Sequence, residues 1–150
     1  MEPALYRLAS RILVVDDERH IARFLQFLLK KEGYQTALAF DGETAIEMNR
    51  TFKPDAILLD LVLPGISGLD VLKTIHASVT EDSPHPVILL LTGLNLQDIP
   101  ADIMEFGVTA HCAKPVAPST LLRHLQRHGL FGYATSRAVQ PGIASVGSGQ

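Results

Sequence analysis

Five short apolar runs, at residues 12–15, 36–40, 56–59, 87–91 and 110–113, recur along the chain with helically spaced segments between them. Each is too brief for a buried helix, and those at 12–15, 56–59 and 87–91 are rich in Val, Ile and Leu. Strands buried on both faces of a parallel sheet read as continuous runs of this kind, because neither side of the strand meets water. The intervening segments carry a different period. Ile21, Phe24, Leu25 and Leu28 recur at i, i+3, i+4 and i+7 and predict one apolar helical stripe, with Gly33 placed to end it. Residues 44–50 predict a short second helix, opened by the Asp41-Gly42 turn signal. Leu69, Leu72 and Ile75 mark a third, Ile99, Ile103 and Phe106 a fourth, and Leu121, Leu122 and Leu125 a fifth that Pro118 and Ser119 introduce.

Strict alternation of strand and helix predicts an α/β fold in which a parallel five-stranded sheet carries helices on both faces. Right-handed crossovers leave few topologies, of which the flavodoxin-like (βα)5 arrangement with order 2-1-3-4-5 is the commonest. The 150 residues suffice for one domain. Residues 1–9 read as a short lead, 10–128 as the domain, and 129–150, with five Gly and three Ser, as a flexible tail. Residues 78–86 form a loop.

Composition excludes several classes. No apolar run is long enough to span a bilayer, and Glu2, Arg7 and Arg11 break any signal-peptide pattern, so no membrane association is expected. Cys112 is the only cysteine, which excludes an internal disulfide and fits a cytoplasmic setting. The net charge of −3 is uneven: residues 1–105 hold nine Lys/Arg against all sixteen Asp/Glu, and residues 106–150 hold four Lys/Arg and no acid. Neither part has the dense basic patch of a nucleic-acid binder.

The chemistry lies at the strand ends. Strand one ends in Asp16-Asp17 followed by Glu18, strand three in Asp60, strand four in Thr92-Gly93 and strand five in Lys114-Pro115. Ligands of open α/β sheets bind beyond the carboxyl ends of the strands where the order reverses, here between strands one and three. That topology gathers Asp16, Asp17 and Asp60, with Thr92 and Lys114 arriving from the other side. Three crowded carboxylates call for a hard divalent cation such as Mg²⁺. Cation, ammonium and hydroxyl together suit a phosphoryl group, with Asp60 as the carboxylate nucleophile. A single strand-end Asp is more often a helix cap or loop residue. Four strand ends carrying matching groups argue otherwise.

These segments, Leu13-Val14-Val15-Asp16-Asp17-Glu18, Asp41-Gly42-Glu43, Leu58-Leu59-Asp60-Leu61-Val62-Leu63-Pro64-Gly65, Thr92-Gly93 and Lys114-Pro115, resemble the receiver domain of two-component response regulators, the CheY-like family. The resemblance implies that Asp60 accepts a phosphoryl group from a sensor histidine kinase or a small phosphodonor. It implies that Asp16, Asp17, Asp60 and the main-chain carbonyl of Val62 hold Mg²⁺, and that Thr92, Gly93 and Lys114 bind the phosphoryl group. It also implies a cis Lys114-Pro115 bond, and the length, one such domain plus a tail, leads us to expect a stand-alone phosphorelay component.

Three positions depart from the usual pattern. His111 stands where the family's switch aromatic is Tyr or Phe, and its titration near neutrality would make switching with Thr92 pH-sensitive; a strand histidine with only a structural role is the other reading. Val62 and Leu94 put apolar groups where the family tunes loss of the phosphoryl group, which predicts a persistent phosphoform. Asp98, Asp102 and Glu105 on the fourth helix and Arg123 and Arg127 on the fifth form an acidic and a basic stripe. Together they suit a homodimer through the helix 4–strand 5–helix 5 face. His124 and His128, at i and i+4, read as a solvated face. Two alternatives stay open: a Mg²⁺-dependent aspartyl-phosphate phosphohydrolase, which the adjacent Asp16-Asp17 and the lack of room for a cap domain disfavour, and a receiver that only docks partners.

Overall fold

The computed structural model describes residues 9–93 and 95–132. In chain order its elements are β1 (Arg11–Val15), α1 (Arg19–Lys31), β2 (Gln35–Ala39), α2 (Gly42–Phe52), β3 (Ala56–Leu59), α3 (Gly68–Ala77), β4 (Val87–Thr92), two 3-10 segments (Leu96–Asp98 and Ala101–Phe106), β5 (Ala110–Ala113) and α4 (Pro118–Arg127). The sheet order is β2-β1-β3-β4-β5 and every pairing is parallel, as alternation predicts.

The inner strands separate two cores. Ile12, Val14, Leu58, Leu89 and Leu91 face one way and pack under Ala22, Leu25 and Leu29 of α1 and Leu121 and Leu125 of α4. Leu13, Val15, Ile57, Leu59, Ile88 and Leu90 face the other way, against Ala45 of α2 and Val71, Leu72 and Ile75 of α3. Successive strand residues point to opposite faces, so burial on both faces makes every position apolar. Truncating one of these leucines to alanine costs about 2–5 kcal/mol.

Local signals end the helices where expected. The Asp41 side chain accepts a hydrogen bond from Thr44 N–H at 2.7 Å, and Ser67 accepts one from Asp70 N–H at 3.1 Å. Gly33 follows α1 at φ 89°, and Pro118 occupies the first turn of α4.

Four sequence expectations need correction. The fourth helix is not an α-helix. Ile103 is buried and Ile99 and Phe106 are partly buried, as their spacing predicts, but Pro100 lacks an N–H and disfavours helical geometry at the residue before it. The segment therefore breaks into two 3-10 pieces. Asp98 lies on one piece and Asp102 and Glu105 on the other, so the three acids do not form one helical stripe.

In α1 the buried stripe runs through Ala22, Leu25 and Leu29, while Phe24 is 51% exposed. The third correction concerns the tail: residues 129–132 are docked. Leu130 is buried in the core, Tyr34 Oη donates to its carbonyl at 2.7 Å, and Phe131 bridges Ala9 in parallel, with Ser10 N–H donating to Phe131 O at 2.8 Å. A side chain at Gly132 would collide with the backbone of Glu32 and Gly33. Finally, His124 is half-buried with its Nδ1 enclosed, whereas His128 is exposed. The first eight residues of the lead, residues 133–150 of the tail, and Leu94 lie outside the described residues.

Candidate metal and phosphoryl site

Parallel pairing brings the carboxyl ends of β1, β3, β4 and β5 to one pole. There Asp16 N–H donates to Ala39 O at 3.1 Å and Asp60 N–H to Val15 O at 3.0 Å, so the sheet ladder itself fixes both acids. Asp16 is 1% exposed and Asp60 6%, while Asp17 faces solvent. Gly68 lets α3 begin directly against this point, since a Cβ there would collide with Asp60 O and Leu61 Cα.

Each buried carboxylate has one oxygen held by the backbone. Glu18 N–H donates to Asp16 Oδ1 at 2.9 Å, and Val62 N–H donates to Asp60 Oδ1 at 3.0 Å. The second oxygens converge on Lys114, whose ammonium donates to Asp60 Oδ2 at 2.8 Å and lies 2.7 Å from Asp16 Oδ2. The contact with Asp16 is an ion pair, and this buried Oδ2 accepts no further hydrogen bond. Burial pulls the Lys114 pKa down, and the adjoining Asp16 and Asp60 carboxylates outweigh it and hold the group above an ordinary lysine.

Carboxylate oxygens of Asp16, Asp17 and Asp60 all come within 4.8 Å of one another. An all-oxygen cluster of three carboxylates against a single ammonium fits a hard divalent cation, which binds through a few carboxylates and keeps the rest of its shell for water or substrate. Among the described residues this is the only group of three or more His, Cys, Asp or Glu so arranged; His124 and His128 are not part of one.

Thr92, the buried last residue of β4, sits beside β5: Lys114 N–H donates to Thr92 O at 2.9 Å. The Lys114-Pro115 bond is cis. Asp17, Glu18, Asp60, Val62, Gly93 and Lys114 line an open cleft of about 420 Å³. The sequence therefore names Asp16, Asp17, Asp60, Thr92, Gly93 and Lys114, and the fold gathers them at one pole. It does not announce Glu18, whose Oε1 lies 3.7 Å from Lys114 Nζ, or the close approach at Gly68. Glu18 could have been suspected from its place directly after the acidic pair.

His111 is exposed on β5, at the rim of a separate apolar hollow of about 210 Å³ that Leu90, Ile99, Pro100, Ile103 and Met104 also line. Among the described residues no ion pair links Asp98, Asp102 or Glu105 with Arg123 or Arg127.

Residues 12–126 match the family model described as response regulator receiver domain. The chain belongs to that family. Members are phosphoacceptor signalling domains rather than classical enzymes, interact with histidine kinases and bind Mg²⁺ at an acidic pocket.

Among curated relatives, the DNA-binding response regulators MtrA of Mycolicibacterium paratuberculosis and Mycobacterium tuberculosis are each 36% identical over 117 residues, or 78% of this chain. Those residues are 50% and 49% of the two relatives, so this receiver spans about half the length of the proteins it matches. Among solved structures, the receiver domain of a putative Luxo repressor protein from Vibrio parahaemolyticus has a TM-score of 0.71 at 25% identity, covering 95% of this chain and 99% of that one. The receiver domain of sensor histidine kinase PA1611 from Pseudomonas aeruginosa, with a magnesium ion coordinated in its active site cleft, has a TM-score of 0.70 at 30% identity, covering 79% and 96%. No helix among the described residues is long and apolar enough to cross a membrane.

Proposed function

We propose that Asp60 accepts a phosphoryl group from the phosphohistidine of a sensor histidine kinase, or from a small phosphodonor, in a Mg²⁺-dependent reaction. The observation that carries this reading is the Asp60 carboxylate itself. It is buried, held through Oδ1 by the Val62 amide, and faces Lys114 through Oδ2 inside a carboxylate cluster. Asp16, Asp17, Asp60 and the Val62 carbonyl would hold the cation, which when bound offsets negative charge on the transferring group.

In the transfer, an Asp60 oxygen forms a bond to phosphorus as the bond to the donor's leaving atom breaks, and the leaving group takes that electron pair. The fixed carboxylate meets the donor in line, which is most of what phosphoryl transfer asks of a protein. Lys114 then donates to a phosphoryl oxygen, where it opposes charge that Asp60 has passed outward. The Thr92 hydroxyl and the exposed Gly93 backbone bind the same group.

Thr92 and His111 are the elements that switch. Drawing the Thr92 hydroxyl toward the phosphoryl group vacates space behind β4, and His111 moves from the rim of its hollow inward. The face of the two 3-10 segments, β5 and α4 is thereby altered, and Asp98, Asp102 and Glu105 of one copy pair with Arg123 and Arg127 of a second across a two-fold axis. Val62, 59% exposed beside Asp60, offers no group to orient an attacking water, which makes the phosphoform persistent. Incubation with acetyl phosphate and Mg²⁺, followed by intact-mass measurement, tests the reading: one alkali-labile phosphoryl addition is expected. Steady turnover of a phosphomonoester without a stable adduct would contradict it.

A further inference from the structure

We propose that Glu18 selects among phosphodonors by their charge, acting as a specificity-determining residue at the mouth of the cleft. The inference rests on Asp60 being the phosphoacceptor. Glu18 occupies the N-cap of α1, and its carbonyl accepts from Ile21 N–H and Ala22 N–H at 3.0 Å. Its side chain makes no capping hydrogen bond, although that is the usual task of a side chain at this position. The carboxylate instead lines the cleft, with Oε1 3.7 Å from Lys114 Nζ. The Glu18 backbone is held at the edge of the site, since its N–H is bonded to Asp16 Oδ1.

Asp16, Asp17, Glu18 and Asp60 against Lys114 give the site three formal negative charges, and a divalent cation leaves one. Without Glu18 the cation-loaded site is neutral. Glu18 is 51% exposed on its side chain and is neither the nucleophile nor part of the carboxylate cluster, so it acts through its field on whatever anion enters. In the step itself Asp60 attacks phosphorus and the donor's leaving group departs with the bonding pair. The balance of bonds is the same for every donor, and only the charge brought past Glu18 differs.

The test uses the whole chain at saturating Mg²⁺, with acetyl phosphate and with phosphoramidate, which carries one fewer negative charge at neutral pH. Asp60 phosphorylation is followed by intact mass. Glu18→Gln is expected to accelerate phosphorylation by phosphoramidate about twofold, the scale of one unit-charge pair about 8 Å apart in water, and by the doubly charged acetyl phosphate about fivefold. Both gains should shrink in 1 M salt, where the screening length falls to about 3 Å. Glu18→Asp, which keeps the charge, should match the wild type. Equal gains with both donors, or no gain with acetyl phosphate, would overturn the role of Glu18 while leaving Asp60 as phosphoacceptor. Absence of phosphorylation at Asp60 in the wild type would remove that underlying reading, and this inference with it.

Discussion

The Lys114 ammonium lies 2.8 Å from Asp60 Oδ2 and 2.7 Å from Asp16 Oδ2, so one cation serves two buried carboxylates contributed by different strand ends. Lys114 follows β5, Asp16 follows β1 and Asp60 follows β3, so the contact ties the whole pole of the sheet together. Removing one partner of such a group leaves charge buried without compensation. Lys114→Met should therefore lower stability by about 2–3 kcal/mol, less than a fully buried pair because Lys114 retains some exposure. Urea unfolding with and without Mg²⁺ checks this, and added Mg²⁺ should restore much of the loss. The Lys114 pKa is raised in the folded state, so its contribution is fully present below the ordinary lysine range and fades as pH rises through the folded value. The variant should lack that alkaline component.

Cation binding should be visible as thermal stabilisation. A ligand that binds only the folded state raises stability by RT ln(1 + [L]/Kd), so the wild-type Tm should climb steadily with Mg²⁺. Asp16→Asn removes one of the cluster's two buried carboxylates. The same titration on that variant should give little or no rise, and an undiminished rise would place the cation elsewhere.

The phosphoform should decay slowly because Val62 is apolar and exposed at the cleft. Val62→Asn places an amide there that can orient water, and a positioned group of this kind should shorten the lifetime by about tenfold or more. Loss of the phosphoryl mass after removal of acetyl phosphate measures it. Wild-type decay within seconds would contradict the assignment.

Much of this was legible in the sequence because two-sided burial leaves a blunt mark. Residues 56–59 and 87–91 are apolar at every position, and the acids, hydroxyl and lysine follow them at the strand ends. What stayed hidden depends on single competing residues or distant contacts. Pro100 overrides an apolar spacing that is otherwise helical, and the acidic stripe expected there dissolves with it. Phe24 fits the helical period, yet the smaller Ala22 and the later Leu29 fill the interface. Leu130 and Phe131 sit in a Gly-containing stretch that looks like linker. Their partners Ala9, Ser10 and Tyr34 are about a hundred or more residues away, beyond the reach of any local pattern. Glu18 is visible in the sequence beside the acidic pair, but its contact with Lys114 is not, since only folding brings the two together.

That docked segment makes its own prediction. Tyr34 is buried with its hydroxyl on Leu130 O, and burial, with Glu32 adding to it, pushes the phenol up to about 12. One of the three tyrosines should therefore ionise near pH 12 in an absorbance titration. The folded value exceeds the unfolded one, so stability from this group is complete below pH about 10 and is lost between about 10 and 12. Tyr34→Phe should cost about 1 kcal/mol at neutral pH and flatten that alkaline loss.

The most direct test of the central claim is the site of modification. The wild type and Asp60→Asn, each shown to be folded, are incubated with acetyl phosphate and Mg²⁺, and intact mass is recorded with and without chelator. One phosphoryl addition in the wild type, lost on chelation of Mg²⁺ before the reaction and lost in Asp60→Asn, is the predicted result. An equal addition in Asp60→Asn, or none in the wild type at saturating Mg²⁺, would contradict it.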